Sequence, residues 1–240
     1  MRILIGMDDT DGAGWAASTA RLAREFGDTL ASETRFIGSV GHILFSGVTA
    51  TTNNKASCLV VESERADAAD FLLAQAAAYV EANAAPSSAP GIVVAGAEAE
   101  ALIDFGRAAS RREIRPEELP PLIEGLRVAG LRGGRGLIGA AAAVGLTARG
   151  WSGRWLEFGG LRRLDRAVQA RELRALGIFL VSLETDAEAP APDDWIDTHG
   201  RLRPQLAAGR AVLPLRRIGE GMWEAATGEA ADAAPAKKSR

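Results

Sequence analysis

The chain has 240 residues, 47% hydrophobic and 25% charged, which is enough apolar material to bury an ordinary core and excludes a disordered polymer. A formal net charge of −3 excludes the global positive field of a dedicated polyanion binder, and the one cysteine, Cys58, excludes an intrachain disulfide or a cysteine zinc cluster. Aromatic residues make up only 5%, so core volume has to come from Leu, Val, Ile and Ala.

In chain order, Ile3-Leu4-Ile5 reads as a buried strand that ends in the turn Met7-Asp8-Asp9-Thr10-Asp11-Gly12-Ala13-Gly14. An amphipathic helix over 14–31 follows, with Trp15, Thr19, Leu22, Ala23 and Phe26 on one side. Short strands, or one bent strand, occupy 35–40 and 42–45. Beyond a polar loop over 46–55 come a strand over 56–61 and an Ala/Leu-rich helix over 65–84. The loop 85–90 leads to a strand over 91–95 and a helix over 97–109. Pro116, pre-set for a first helical turn, starts a helix over 115–126. The glycine-rich run 130–139 opens an alanine helix. Strands over 155–158 and 177–183 enclose a helix over 165–175, and 188–194 reads as a loop. Segments at 195–198, 210–215 and 222–225 are short β structure with a terminal hairpin, and a polar Ala-rich tail follows 227.

The alternation of strand and helix predicts an α/β (α+β) fold, a mixed sheet with flanking helices. The expected division is 1–125 as an N-terminal nucleotide-binding region, 126–227 as the glycine-rich loop with a smaller α/β or ferredoxin-like unit, and 228–240 as a flexible tail. No secretory leader pattern is present and no apolar run is long enough to span a bilayer, so a cytoplasmic protein without a membrane partner is expected.

The chemistry concentrates in the first turn. Carboxylates are costly to desolvate unless solvated, paired or bound to a metal, which makes Asp8, Asp9 and Asp11 candidate metal ligands. Helix capping accounts for one of the three and leaves two without a role. Gly12 and Gly14 would sit against the following helix N-terminus, where an anion is favoured. An anion and carboxylates in one turn need a cation between them, and Mg2+ with a nucleotide phosphate satisfies both. Thr10, Ser18 and Thr19 are nearby hydroxyls that either cap and pack or touch the ligand.

Asn53, Asn54 and Lys55 form either a plain turn or, in a site, two orienting amides and a cation that offsets phosphate charge. Gly133, Gly134 and Gly136 permit close backbone approach, to a phosphate or to another element. The run lacks a Gly-Lys-Ser/Thr ending and has no clear strand before it. Cys58 reads as a small core residue, and His42 and His199 as structural. Arg107, Arg111, Arg112 and Arg115, then Arg132 with Arg135, then Arg162, Arg163 and Arg166, are either solvated faces or local basic patches.

The run Ile5-Gly6-Met7-Asp8-Asp9-Thr10-Asp11 resembles the N-terminal kinase-like domain of the archaeal tRNA 2-agmatinylcytidine synthetases and their shorter bacterial relatives. Asn53 to Leu59, Ala89-Pro90-Gly91 and Arg132 to Gly139 are similar to further segments of that family. The resemblance spans about two-thirds of the chain and implies an activity using ATP and Mg2+, in which a cytidine base is phosphorylated and the phosphate displaced by an amine. It implies catalytic roles for Asp8, Asp9, Asp11 and Lys55. Thr10, Gly12, Gly14, Ser18, Thr19, Asn53, Asn54, Gly133, Gly134 and Gly136 are then nucleotide contacts. The implied partners are a nucleotide and an unidentified small-molecule acceptor, with tRNA the substrate of the family, and a homodimer is left open. This chain lacks zinc-ribbon cysteines and has Ala17-Ser18-Thr19 where archaeal members carry Cys-Thr-Thr, which points to a smaller acceptor or to nucleotide binding without catalysis.

Overall fold

The computed structural model describes residues 1–30, 33–47, 54–184 and 188–226. Its elements run β1 (Arg2–Asp8), α1 (Thr19–Thr29), β2 (Thr34–Ile43), β3 (Lys55–Ser63), α2 (Ala68–Asn83), β4 (Gly91–Ala95), α3 (Ile103–Ala109), α4 (Pro120–Ile123), β5 (Arg127–Gly130) and α5 (Leu137–Arg149). They continue as β6 (Arg154–Phe158), β7 (Ala167–Gln169), α6 (Ala170–Ala175), β8 (Ile178–Ser182), β9 (Trp195–Asp197), β10 (Gln205–Ala207), β11 (Arg210–Gly219) and β12 (Met222–Ala225).

The described strands join one mixed sheet in the order β5-β4-β1-β3-β2-β6-β10-β11-β12-β9-β7, with β8 added to β11. Pairing is parallel at β8–β11 and β9–β12 and antiparallel elsewhere. The expected mixed sheet with flanking helices is therefore present, on its α+β side: β1 and β2, which flank α1, and β3 and β4, which flank α2, run parallel, but each pair is separated by a strand antiparallel to both, so the neighbours there are antiparallel.

Strand periodicity divides the core. Leu4, Cys58, Val60, Val93 and Ala95 face α3 and α5, whereas Ile3, Ile5, Met7, Leu59, Val61, Ile92 and Val94 face α1 and α2. β1, with β3 on one side and β4 on the other, is a central strand, and its last residue, Asp8, emerges on the α5 side. Cys58 is fully buried on the same face, and burial pushes its thiol up to about 12, as a core residue requires.

Several element boundaries differ from the sequence expectation. The first helix begins at Thr19, not at 14, because Trp15 N–H closes a turn on Gly12 O at 3.0 Å and Gly14 takes φ 76. Of the two readings for 35–45, the single bent strand is the one found: β2 has register shifts against both neighbours and ends at Ile43, short of 44–45. The expected helix over 115–126 is a 3-10 turn at Pro116–Glu118 followed by the single turn α4, since Pro120 restarts the helix and supplies no N–H. The helix expected over 97–109 opens as the 3-10 turn Ala97–Leu102 before α3. Residues 167–169 belong to β7, and α6 starts only after Gln169, which forms a capping box with Glu172. The glycine-rich run does follow a strand, β5. The terminal hairpin is present as β11–β12. No helix among the described residues is long and apolar enough to cross a membrane.

Candidate functional site

The end of β1 is enclosed by two other segments. The first is the loop between α2 and β4, where Ala85 N–H donates to Thr10 O at 2.9 Å and Ala89 O accepts Gly136 N–H at 3.0 Å. The second is the glycine turn between β5 and α5, where Leu131 N–H donates to Pro90 O at 2.9 Å and Gly134 N–H to Leu131 O at 2.9 Å. Arg132, Gly133 and Gly134 take φ 50, 98 and 61, so three successive left-handed residues turn the chain into α5. Acidic turn, loop and glycine turn thus meet at one end of the sheet.

Contact at this junction is backbone on backbone. A Cβ on Gly136 would lie 2.5 Å from Asp8 O and 2.6 Å from Gly91 N, and one on Gly139 would overlap the Asp8 carboxylate. Asp8 is half-buried, and burial, with a smaller push from the charges of Asp9 and Asp11, raises its carboxyl from 3.8 to about 7 against the opposing Asp9 N–H. Asp9 sits at φ 51, a conformation that aspartate tolerates better than most side chains. Its Oδ2 accepts Ala89 N–H at 3.3 Å and lies 3.5 Å from Arg135 Nη2. Asp11 is half-buried beside Gly12, whose absent Cβ leaves room for Ser87 Oγ.

The hydroxyls hold the turn together. Thr10 is fully buried, and both its N–H and its Oγ1 reach Thr19 Oγ1, at 3.4 and 3.0 Å, which ties the turn to the first residue of α1. Ser18 is the N-cap of α1, accepting Arg21 N–H at 3.3 Å. Asn54 donates from Nδ2 to Phe45 O at 2.9 Å, so its amide secures the neighbouring loop. Asn53 lies outside the described residues. Lys55 opens β3 and is exposed; Met7 pairs with Ser57, so Lys55 stands at the same end of the sheet as Asp8 but, by strand parity, on the α1 face. Gly12 and Gly14 lie in the loop before α1, not at a helix N-terminus. Gly133 has nothing within 4 Å of its missing Cβ, so among the three predicted glycines it borders open space, while Gly134 packs on Gly130 and Gly136 on Asp8.

Two contributors were not singled out as site residues from sequence. Arg135 is exposed beside Asp9, and Arg132 Nη1 donates to Ala85 O at 2.6 Å, fastening the glycine turn to the loop. Their interleaving with the glycines was the available signal. His42, expected to be structural, is buried with Nε2 2.7 Å from Thr147 Oγ1, and burial lowers it to about 3. Among the described residues no three His, Cys, Asp or Glu side chains are grouped so as to hold a metal ion by themselves. The arrangement offers one desolvated carboxyl, a second carboxylate on a left-handed turn residue, a guanidinium, and the N-terminus of a long helix whose Leu137 N–H is already taken by Gly134 O at 3.0 Å, all at one end of the sheet.

No protein-family model and no curated protein matches the sequence. Solved structures match in shape. The complex of TiaS with an isoleucine tRNA and ATP aligns at TM-score 0.55 and 27% identity over 60% of this chain and 36% of that one. A tRNA fluorescent labeling enzyme aligns at TM-score 0.53 and 26% identity over the same 60% and 36%. A complex of TiaS with the same tRNA, AMPCPP and agmatine covers 73% of this chain and 44% of that one at 23% identity and TM-score 0.54, a likeness of fold alone. The chain therefore spans less than half of the proteins it matches, and over 60% of its own length it has the architecture of TiaS, the agmatidine synthetase of an isoleucine tRNA.

Proposed function

We propose that this protein binds ATP with Mg2+ at the junction of the acidic turn and the glycine turn and transfers a phosphoryl group to a small acceptor. The observation that supports this best is the seating of Asp8 against the N-terminus of α5. A desolvated carboxyl with two further acids in its turn gains most from a bound cation, and a helix N-terminus beside it favours the accompanying phosphate. Mg2+ commonly takes one or two carboxylates and completes its shell with phosphate oxygens and water, so Asp8 and Asp9 suffice as protein ligands, with Asp11 adjacent. When bound, ATP with Mg2+ supplies an electrophilic phosphoryl group.

The residues of this chain then have separate tasks. Asp8 and Asp9 hold the cation. Gly133 leaves room for close approach of a phosphate, and Arg135 offsets charge that develops on it. Lys55, across β3, screens charge from the other side of the sheet edge. Thr10 and Thr19 fix the turn so that the carboxylates do not move when the ligand binds. The nucleotide-binding unit runs beyond residue 125, since α5 packs on β1, β4 and α3.

The test is thermal stabilisation of the purified chain by ATP with and without Mg2+, followed by identification of nucleotide products. Stabilisation that needs Mg2+ and is lost in Asp9→Asn is the expected outcome. Equal stabilisation of wild type and variant would remove the acidic turn from the site. A second reading, nucleotide binding without catalysis, is favoured by the engagement of Ser18, Thr19 and Asn54 in holding the fold. It predicts the same stabilisation with no ADP or AMP formed in the presence of amines or nucleosides.

A further inference from the structure

Where β6 meets β10, a group of arginines stands apart from the acidic turn. Arg154 pairs with Gln205, and Trp155 N–H donates to Pro204 O at 2.8 Å, so the register continues with Arg203 opposite Leu156. Paired positions of antiparallel strands share a face, which puts Arg203 on the same side as Arg154 and Leu156. Arg162 reaches the same spot from the 3-10 turn after β6: its Nε and Nη2 donate to Leu156 O at 2.9 and 2.6 Å. Arg201, exposed, lies two residues before Arg203.

Little among the described residues neutralises Arg162 and Arg203. Arg203 Nε is buried with no hydrogen-bond partner. The acid that acts on Arg162 is Glu157, whose Oε1 already accepts the N–H groups of Phe158 and Gly160 at 3.0 and 2.8 Å. Burial first, and the charge of Arg201 second, hold the Arg162 and Arg203 guanidiniums below their usual value. A protein of net charge −3 thus keeps a partly desolvated, mutually repelling positive cluster.

We propose that Arg162, Arg201 and Arg203 form a phosphate-binding site separate from the acidic turn. Planar guanidinium forks match the oxygens of a phosphate, and a dianion would relieve the repulsion and supply the acceptor that Arg203 Nε lacks. The phosphate comes either from a free polyphosphate or from the backbone of a nucleic acid.

Tripolyphosphate and a short single-stranded RNA are titrated calorimetrically, without Mg2+, into the full chain and into Arg203→Gln, Arg201→Gln and Asp8→Asn. The expected result is binding of at least one probe that is weakened about tenfold in each arginine variant and unchanged in Asp8→Asn. Tripolyphosphate binding identifies a free anion as the source. Binding of RNA alone, weakening as salt rises, identifies the backbone. Arg201 is exposed, so its variant keeps the fold and its melting temperature shows this. Binding of neither probe to wild type, equal affinity in the arginine variants, or loss in Asp8→Asn would each overturn the proposal.

Discussion

Replacing Asp8 by Asn separates the cost of the site from its use. In the fold the carboxyl titrates at about 7 where an unperturbed one titrates at 3.8, so the folded state holds a proton that the unfolded chain has released between those values. The contribution of Asp8 to stability is therefore most favourable at low pH and declines as pH rises through this window, with the full loss above about 7. At about 1.4 kcal/mol per pH unit the loss reaches roughly 4 kcal/mol, and solvent access to a half-buried residue trims this to about 2–4 kcal/mol. In a chain of 240 residues that corresponds to a melting temperature lower by about 4–16 °C. Asp8→Asn, measured calorimetrically in chelator at pH 8, is expected to melt higher than wild type by that amount. At pH 4 the two are expected to coincide. Saturating ATP with Mg2+ should then raise the wild type far more than the variant. A wild type whose melting temperature is flat from pH 5 to 8, with Asp8→Asn no more stable, would refute both the desolvation of Asp8 and the reason for placing a cation there.

The other predictions are narrower. Thr19→Val leaves the buried Thr10 hydroxyl and N–H without their acceptor and should cost about 1–3 kcal/mol in denaturant unfolding, with nucleotide affinity falling as the turn loosens. Gly91→Ala puts a methyl onto the backbone of Leu137 and should destabilise by several kcal/mol or abolish soluble expression; a variant within about 0.5 kcal/mol of wild type would show that α5 is not seated as described. Arg135→Gln removes an exposed partner of Asp9, so stability should change by less than about 1 kcal/mol while ATP affinity drops about tenfold in calorimetry. The His42 ring, lowered to about 3 by burial, should show no NMR titration between pH 5 and 8. Because its unfolded counterpart takes up a proton first, it contributes a loss of stability as pH falls below about 6.5.

Sequence periodicity carried most of the sheet and helices because each strand and amphipathic helix announces its own buried face. Boundaries failed where a local competitor intervened: Gly14 and the Gly12–Trp15 turn delayed α1, and Pro120 broke the helix expected to run on from Pro116. Strand direction was not legible, since alternation of strands and helices is shared by parallel units and by the antiparallel ladder found here. At the site, the strand-to-turn position of Asp8 and Asp9 was readable because desolvated acids have few structural excuses. The contribution of residues 85–89 was not, because their part is played by backbone groups. Ser18 illustrates the opposite limit: its hydroxyl read equally as a helix cap or a ligand contact, and the structure shows it capping α1. For the glycines, the two readings of close approach divide by position, with Gly136 taken up by packing and Gly133 left open.

The seating of α5 has a consequence for how this chain can vary. Ala140, Ala141, Ala142 and Ala143 are fully buried, and added side-chain atoms at Gly6, Gly139 and Gly145 would meet Ala140 O, the Asp8 carboxylate and Leu102 O. At Gly6 and Gly145 the helix meets its neighbours backbone to backbone, so little flexible side chain lies there to absorb a displacement. In a saturation mutagenesis experiment this segment should stand out as a block of intolerance wider than any ligand footprint. A single methyl at any of these positions would move the helix as a unit, and with it the whole floor beneath Asp8.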